Sequence, residues 1–511
     1  MRIGTCALTF LFSLLESWQM KRYSMFIDGE WVHPSSGRWL DSVNPYSGEK
    51  WAEIPLGNSE DVDRAVQAAE RAMRQGAWSR MTPSQRGQAL IRFADVLLEH
   101  APRLAEIEVR DNGKLYAEMS NQCKYLVEWF RYYGGLADKI QGAVPPIDKP
   151  HVLNFTRYEP IGVTACITPW NSPLLLLAWK VAPALAAGNA VVIKPSEYTS
   201  ASTLEFAALA AQAGLPAGLI NVVTGLGADV GEALVTHPLV RKVAFTGGES
   251  GGRRVNVAAA ADFKHVTLEL GGKSANIVFE DARIEDALSG AISGIFAASG
   301  QTCIAGSRLL VHESIHDVFV EKLVALASTA RFGDPMSPDT QLGPITTEQQ
   351  YRKVLDYIEI AKNEGAHCVM GGAVAQGPEG AKGFFVQPTI FVNVTPDMRI
   401  AQEEVFGPVL SVIKFKDDDD AVRIANGTQY GLAAGVWTEN LRRAVDMSNR
   451  LVAGTVWINI YRSTSYTSPF GGFKSSGMGR ENGLDAIYDY LQVKSVWIYT
   501  GGPAANPYIR R

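Results

Sequence analysis

Three side chains in this 511-residue sequence stand where chemistry would need them. Cys303 closes Gly300-Gln301-Thr302-Cys303 and is soon followed by Ala305-Gly306-Ser307-Arg308. A lone cysteine is most often a small buried hydrophobe, but a run of Gly, Gln, Thr and Ser reads as a polar turn rather than core. As a thiolate it would be a nucleophile, and an ordinary thiol pKa of ~8.5 means it would need local activation. Glu269 lies in the apolar strand Thr267-Leu268-Glu269-Leu270, which runs into Gly271-Gly272. A carboxylate buried there is costly unless it is paired or functional, which makes it a candidate general base. Asn171, between Trp170 and Pro173, offers an amide donor at a strand end, where α/β sheets place their ligands.

Other patterns compete with this trio. His312-Glu313-Ser314-Ile315-His316 matches the HExxH of zinc proteases. It directly follows the strand SRLLV, and Ser314 is a natural N-cap for the next helix. That leaves His312 outside the helix, so the pair cannot share a face and no metal site is expected. Gly248-Glu249-Ser250-Gly251-Gly252 matches the GxSxG elbow of serine hydrolases, with Ser250 as the alternative nucleophile. A hydrolase also needs an Asp and a His further along, and none is marked out. The competing reading is a Gly-rich turn at a helix start, suited to a phosphate. Gly271-Gly272-Lys273-Ser274 fails as a P-loop because Thr267 stands where the leading Gly belongs, and Gly225-Leu226-Gly227 has its next Gly, Gly231, one position too late for GxGxxG.

The elements that would position these residues are legible in outline. Up to about Gly142 the pattern is mostly helical, with a capping box and Pro at the first helical position in Thr82-Pro83-Ser84-Gln85. From Ile161, IGVTACI, AVVIK, LINVV, KVAFT and HVTLEL alternate with Ala-rich helical stretches, the mark of βαβ units and a parallel sheet. A second α/β series runs through ANIVF, SRLLV, VLSVIKF, AAGVW and GTVWINI, and LQVKSVWIYT closes the chain as an edge or partner-pairing strand. The Asp417–Asp420 run precedes a helical pattern and reads as acidic residues at a helix N-terminus. With 46% apolar and 20% charged residues, disorder is excluded, and a net charge of −5 with interspersed signs gives no case for nucleic-acid binding. Five scattered cysteines without a CxxC pair point to a reducing, cytoplasmic setting. The apolar stretch Ile3 to Leu15 is too short to span a bilayer, and residues 1–24 are read as an extension ahead of a folded start at Met25.

The sequence resembles the aldehyde dehydrogenase superfamily from Met25 to Trp497. The motifs, in order, are Pro169-Trp170-Asn171, Lys194-Pro195-Ser196-Glu197, Phe245-Thr246-Gly247, Glu269-Leu270-Gly271-Gly272-Lys273, Gly300-Gln301-Thr302-Cys303, Glu403-Glu404-Val405-Phe406-Gly407-Pro408 and Pro469-Phe470-Gly471-Gly472-Phe473-Lys474-Ser475-Ser476-Gly477. The resemblance implies an α/β fold with a Rossmann-like NAD-binding domain (25–142 and 161–270), an α/β catalytic domain (271–478) and a small β oligomerisation element (143–160 and 479–511). It implies a homodimer or homotetramer that oxidises an aldehyde to an acid through a thiohemiacetal and a thioester on Cys303. Asn171 and the Cys303 N–H would hold the oxyanion, and Glu269 would activate water; a Glu base argues against acyl transfer to coenzyme A.

For the cofactor, the resemblance assigns Lys194 and Glu197 to the adenosine ribose, with Trp170 and Gly225 nearby. Gly247 and Gly248 face the pyrophosphate, Glu404 binds the nicotinamide ribose, and Phe406 packs beside the ring. A carboxylate at Glu197 opposes a 2′-phosphate, so NAD is expected over NADP. Gly248 departs from the Ser common in relatives and removes a hydroxyl from the pyrophosphate, which backbone N–H groups at the helix start would replace. Trp179, Arg462 and Phe470 would line the substrate tunnel, with Arg462 suited to the carboxylate of a semialdehyde.

Overall fold

The structure is a computed structural model, and it describes residues 20–503 and 507–508. Most of the expected N-terminal extension lies outside the described residues. Packing nevertheless begins ahead of Met25: Lys21–Arg22 pairs with Lys50–Pro55, and Tyr23 is buried with its N–H donating to Glu53 O at 2.9 Å.

Where the pattern before Gly142 suggested helix, the described residues begin with five short strands: Lys21–Arg22, Met25–Ile27, Glu30–Val32, Trp39–Val43 and Lys50–Pro55. The first three are only two or three residues long, and Trp39–Val43 and Lys50–Pro55 mix charged with apolar residues instead of forming apolar runs. The helix Pro83–Asn112 then starts at the Thr82/Gln85 capping box, both halves of which form, and ends at the left-handed Gly113 (φ 74°). It carries Glu108 and Asp111 into the core.

The first large sheet has eight strands. Its five parallel strands, all marked in the sequence, lie side by side as His265–Glu269, Val240–Thr246, Val163–Ile167, Val191–Lys194 and Ile220–Val222. The chain enters at Val163–Ile167, builds outward on one side through Ile220–Val222, then returns to build the other side. This is the Rossmann order, and it opens a ligand crevice where the direction reverses, at the carboxyl ends of Val163–Ile167 and its neighbours.

The second sheet, of seven strands, runs His367–Met370, Thr389–Val392, Val409–Phe415, Arg308–His312, Ala275–Val278, Ala433–Trp437, Thr455–Ile458, and only the His367–Met370 edge is antiparallel. Two segments stitch the halves together. Gly477–Met478 pairs with Leu268 and Glu269 of the first sheet, and Leu491–Tyr499 pairs antiparallel with Val152–Pro160 along nine residues. This two-stranded ribbon leaves Val493, Trp497, Ile498 and Tyr499 exposed.

Two local readings resolve differently. Asp417 caps the helix Asp418–Asn426 by accepting the Asp420 N–H, as the acidic run suggested. Ser314 does not cap the helix His316–Ala327; its hydroxyl instead meets His312 Nδ1 at 2.8 Å, and Ile315 stands at the cap. His312 ends a strand and His316 begins the helix, so the two rings share no helix face. No helix among the described residues is long and apolar enough to cross a membrane.

Candidate active site

Cys303 is presented by an unusual stretch of backbone. Ala298 (φ 54°), Ser299 (φ 51°) and Gly300 (φ 71°) are left-handed in succession just ahead of it. Such strain persists only where surroundings enforce it, and functional sites are where it collects. Here Ala298 N–H donates to the Glu118 carboxylate at 2.9 Å and the Ser299 hydroxyl donates to Gly343 O at 2.7 Å. Gln301 accepts from Thr346 N–H at 2.8 Å and donates to Pro344 O at 3.2 Å. Gly300 is required sterically as well, since a Cβ there would lie 2.1 Å from Gly407 O. Burial pushes the Cys303 thiol up to about 12, helped by the carboxylates of Glu404 and Glu269 and opposed by the N–H groups of Ile304 and Cys303. The resting group is therefore a thiol.

Asn171 and Glu269 arrive from the Rossmann half. Asn171 is buried, and its amide donates to Gln301 O at 3.1 Å, two residues before the sulfur. Glu269 ends its strand at 4% exposure, and neither carboxylate oxygen has a hydrogen-bond partner in the protein. Burial raises its pKa well above the usual value, the Glu481 carboxylate adds to the rise, and Lys180 and Arg480 oppose it. Behind it Lys180, fully buried, pairs with Glu481 and donates to the Thr246 hydroxyl at 2.7 Å. The packing of Gly272 leaves no room for a Cβ beside Cys303 O (2.5 Å), so the loop following Glu269 touches the nucleophile's own backbone.

A cavity of about 1020 Å³ opens at the carboxyl ends of the parallel strands. Trp170, Lys194, Glu197, Gly247 and Gly248 lie on its wall. Lys194 Nζ sits 3.2 Å from the Glu197 carboxylate, and Gly248 is the N-cap of the helix Glu249–Ala260, with open space where a side chain would project. The unpaired first-turn N–H groups of that helix suit a pyrophosphate. From the second domain, Glu404 accepts the Gly272 N–H at 2.9 Å, and Phe406, itself at φ 59°, meets the Trp170 ring edge to face at 5.2 Å. These groups fit a dinucleotide. Gly225 adjoins the wall residues Leu226 and Gly227, and its φ of 146° with Val230 packed against it marks a turn.

Ser250 lies exposed in the first turn of the helix Glu249–Ala260 with ordinary negative φ. A nucleophile elbow needs its serine on a strained strand-to-helix turn, so the hydrolase reading is corrected here. Of the tunnel candidates, Trp179 stacks on Trp129 at 5.8 Å and meets Phe470 edge-on at 5.1 Å. Arg462 is half-buried, donates to Ser293 O at 2.9 Å, and lies within electrostatic reach of Glu118. Lys114, which the sequence did not single out, is buried and bonds Ser172 Oγ at 3.2 Å. Lys180 and Glu481 were missed too, although Lys180 is the one charge in the apolar helix Pro173–Ala186. Among the described residues no group of His, Cys, Asp and Glu could hold a metal ion.

The aldehyde dehydrogenase family profile matches residues 31–496. Human aldehyde dehydrogenase 1A1 is 45% identical over 95% of this chain and 96% of its own length. A dehydrogenase of Acinetobacter baylyi named for (Z)-2-((N-methylformamido)methylene)-5-hydroxybutyrolactone is 44% identical over 96% and 100%. The solved betaine aldehyde dehydrogenase of Staphylococcus aureus, in complex with NAD+, superposes with a TM-score of 0.94 at 37% identity, over 98% of this chain and 99% of that one. A strained cysteine loop, a buried unpartnered glutamate and a Rossmann crevice thus sit in a chain that belongs to the aldehyde dehydrogenase family.

Proposed function

We propose that this NAD(P)-dependent aldehyde dehydrogenase converts an aldehyde to a carboxylic acid through covalent catalysis at Cys303. The observation that carries the reading is the Asn171 amide on Gln301 O, two residues before Cys303, with Gly272, three residues after Glu269, packed against Cys303 O. The thiol gives up its proton to water as the sulfur bonds to the carbonyl carbon, and the oxyanion accepts hydrogen bonds from the Asn171 amide and the Cys303 N–H. NAD, when bound, supplies the acceptor for the hydride that leaves this carbon. The acyl group then remains on sulfur as a thioester. Glu269 removes a proton from water, the hydroxyl adds to the acyl carbon, and the C–S bond breaks to release acid and thiol. Lys194 and Glu197 would hold the adenosine ribose, Gly247 and Gly248 the pyrophosphate, and Glu404 and Phe406 the nicotinamide end. NAD is the reading for this chain because Glu197 opposes a 2′-phosphate and because the Staphylococcus aureus relative was solved with NAD+.

The test is to incubate the full chain with a panel of aldehydes and either NAD or NADP and to follow the reduced cofactor. Turnover that favours NAD and survives Ser250→Ala supports the reading; inactivity with every aldehyde refutes it.

The substrate is an acidic aldehyde of the semialdehyde type, with Arg462 receiving the distal carboxylate and Trp179 and Phe470 forming apolar wall. A charge-assisted hydrogen bond of this kind is worth about tenfold or more in kcat/KM. Arg462→Ala should therefore lower kcat/KM for an acidic aldehyde by that factor and leave a neutral one of equal length unaffected. Unchanged selectivity would remove the assignment. The ribbon of Val152–Pro160 and Leu491–Tyr499, with its exposed Val493, Trp497 and Tyr499, is the oligomerisation element, since an unpaired apolar edge invites a partner. Sedimentation of the whole chain should show a dimer or tetramer, and a monomer at micromolar concentration would contradict it.

A further inference from the structure

The carboxyl end of the helix Pro83–Asn112 delivers three buried groups to the Asn171 turn that the mechanism above leaves unused. Glu108 Oε1 accepts the Leu174 N–H at 2.9 Å and the Ser202 hydroxyl at 3.3 Å. Pro173 has no N–H, so Leu174 offers the first free donor of the helix Pro173–Ala186. Its cap is thus a carboxylate from a distant helix, while Ser172 at the N-cap position caps nothing. The Ser172 hydroxyl accepts instead from Lys114 Nζ at 3.2 Å. The third connection closes a ring: the Thr346 hydroxyl donates to Asn112 O at 2.6 Å, Thr346 N–H donates to the Gln301 side chain at 2.8 Å, and Gln301 O holds the Asn171 amide at 3.1 Å. Glu108 and Asn112 are at 0% exposure and Lys114 at 3%.

Burying a carboxylate and an ammonium is expensive, and a serine hydroxyl would cap the helix locally at far lower cost. What the distant groups add is a fixed relation between the residues following Asn171 and the loop that presents Cys303. We propose that Glu108 and Lys114 are positioning residues for the oxyanion-binding amide of Asn171, Glu108 by clamping the N–H of Leu174 and Lys114 by holding Ser172. The proposal rests on Asn171 being the oxyanion donor.

Three reactions of the full chain separate this role from general support of the fold. Aldehyde oxidation and acylation by p-nitrophenyl acetate both pass through an oxyanion at a tetrahedral carbon. Alkylation of Cys303 by iodoacetamide forms none. Glu108→Ala and Lys114→Met should lower the first two by about tenfold to a hundredfold, the scale of a misplaced catalytic group. The alkylation rate and the KM for NAD should stay unchanged. Glu108→Gln keeps a carbonyl to accept the Leu174 N–H and should retain most activity. Ser172→Ala, which removes only the Lys114 acceptor, carries the test should Glu108→Ala fail to fold. In an Asn171→Ala background the same substitutions should have no further effect. A drop that persists undiminished in that background, or that extends equally to alkylation, overturns the positioning role while leaving Asn171 in place. If Asn171→Ala itself leaves acylation unchanged, the oxyanion reading falls and takes the proposal with it.

Discussion

Cys303→Ala is expected to lower aldehyde oxidation by at least about 10⁴-fold, the order at which removal of a covalent nucleophile acts. The substitution takes away the thiol that bonds to the carbonyl carbon, and the remaining groups have no adduct to stabilise. Because the thiol is pushed up to about 12, spontaneous ionisation near neutral pH leaves on the order of 10⁻⁵ of it as thiolate. The sulfur must therefore lose its proton as it attacks, and Cys303→Ser, with a still weaker acid at the same point, should be as inactive as the alanine variant. Binding of NAD should survive both changes, since the cavity wall of Trp170, Lys194, Glu197, Gly247 and Gly248 does not include this side chain. Mass spectrometry of enzyme quenched during turnover should find the acyl group on Cys303 in the wild type. An unmodified thiol under those conditions, or turnover that persists in Cys303→Ala, would remove covalent catalysis from the account.

The parts of this site that were legible in the sequence share one property: local chemistry at odds with its surroundings. A glutamate in an apolar strand and a cysteine in a polar turn mark Glu269 and Cys303, and the same logic applied to the helix Pro173–Ala186 would have found Lys180, its single charge. The five parallel strands were readable because each is a short apolar run flanked by helical pattern. What stayed hidden is defined only by tertiary contact. Glu481 looks like any surface glutamate until the chain returns across the first sheet at Gly477–Met478 and places it against Lys180. Glu108 lies in an amphipathic helix where a polar residue raises no question, yet it caps another helix through Leu174. Gly225 carries a second reason to be glycine that the sequence did not show, in its φ of 146° and the packed Val230. Ser314, a plausible cap residue, lost to the contact its hydroxyl makes with His312.

Glu269→Gln is expected to separate the two halves of the reaction. The amide keeps the shape of the side chain but cannot take a proton from water, and loss of a general base slows the dependent step by about 10²–10⁴-fold. If the thioester still forms, mixing enzyme, aldehyde and NAD should give a rapid burst of reduced cofactor of one equivalent per site, followed by a slow steady state. Hydroxylamine, which attacks thioesters without a base, should restore the steady rate. The pH dependence fixes the sign independently. A base with a raised pKa is deprotonated only above that value, so wild-type deacylation should fall as pH drops through it, at a pH well above the ordinary glutamate range. Glu481 is the larger of the charges acting on Glu269, and it raises the pKa. Glu481→Gln removes that push, so the acid limb should move to lower pH even though Lys180 loses its partner. A limb that moves upward, or stays fixed in the variant, would mean that the group controlling deacylation is not Glu269. The absence of both burst and steady turnover in Glu269→Gln would place the glutamate in the attack step as well, as the base that removes the thiol proton.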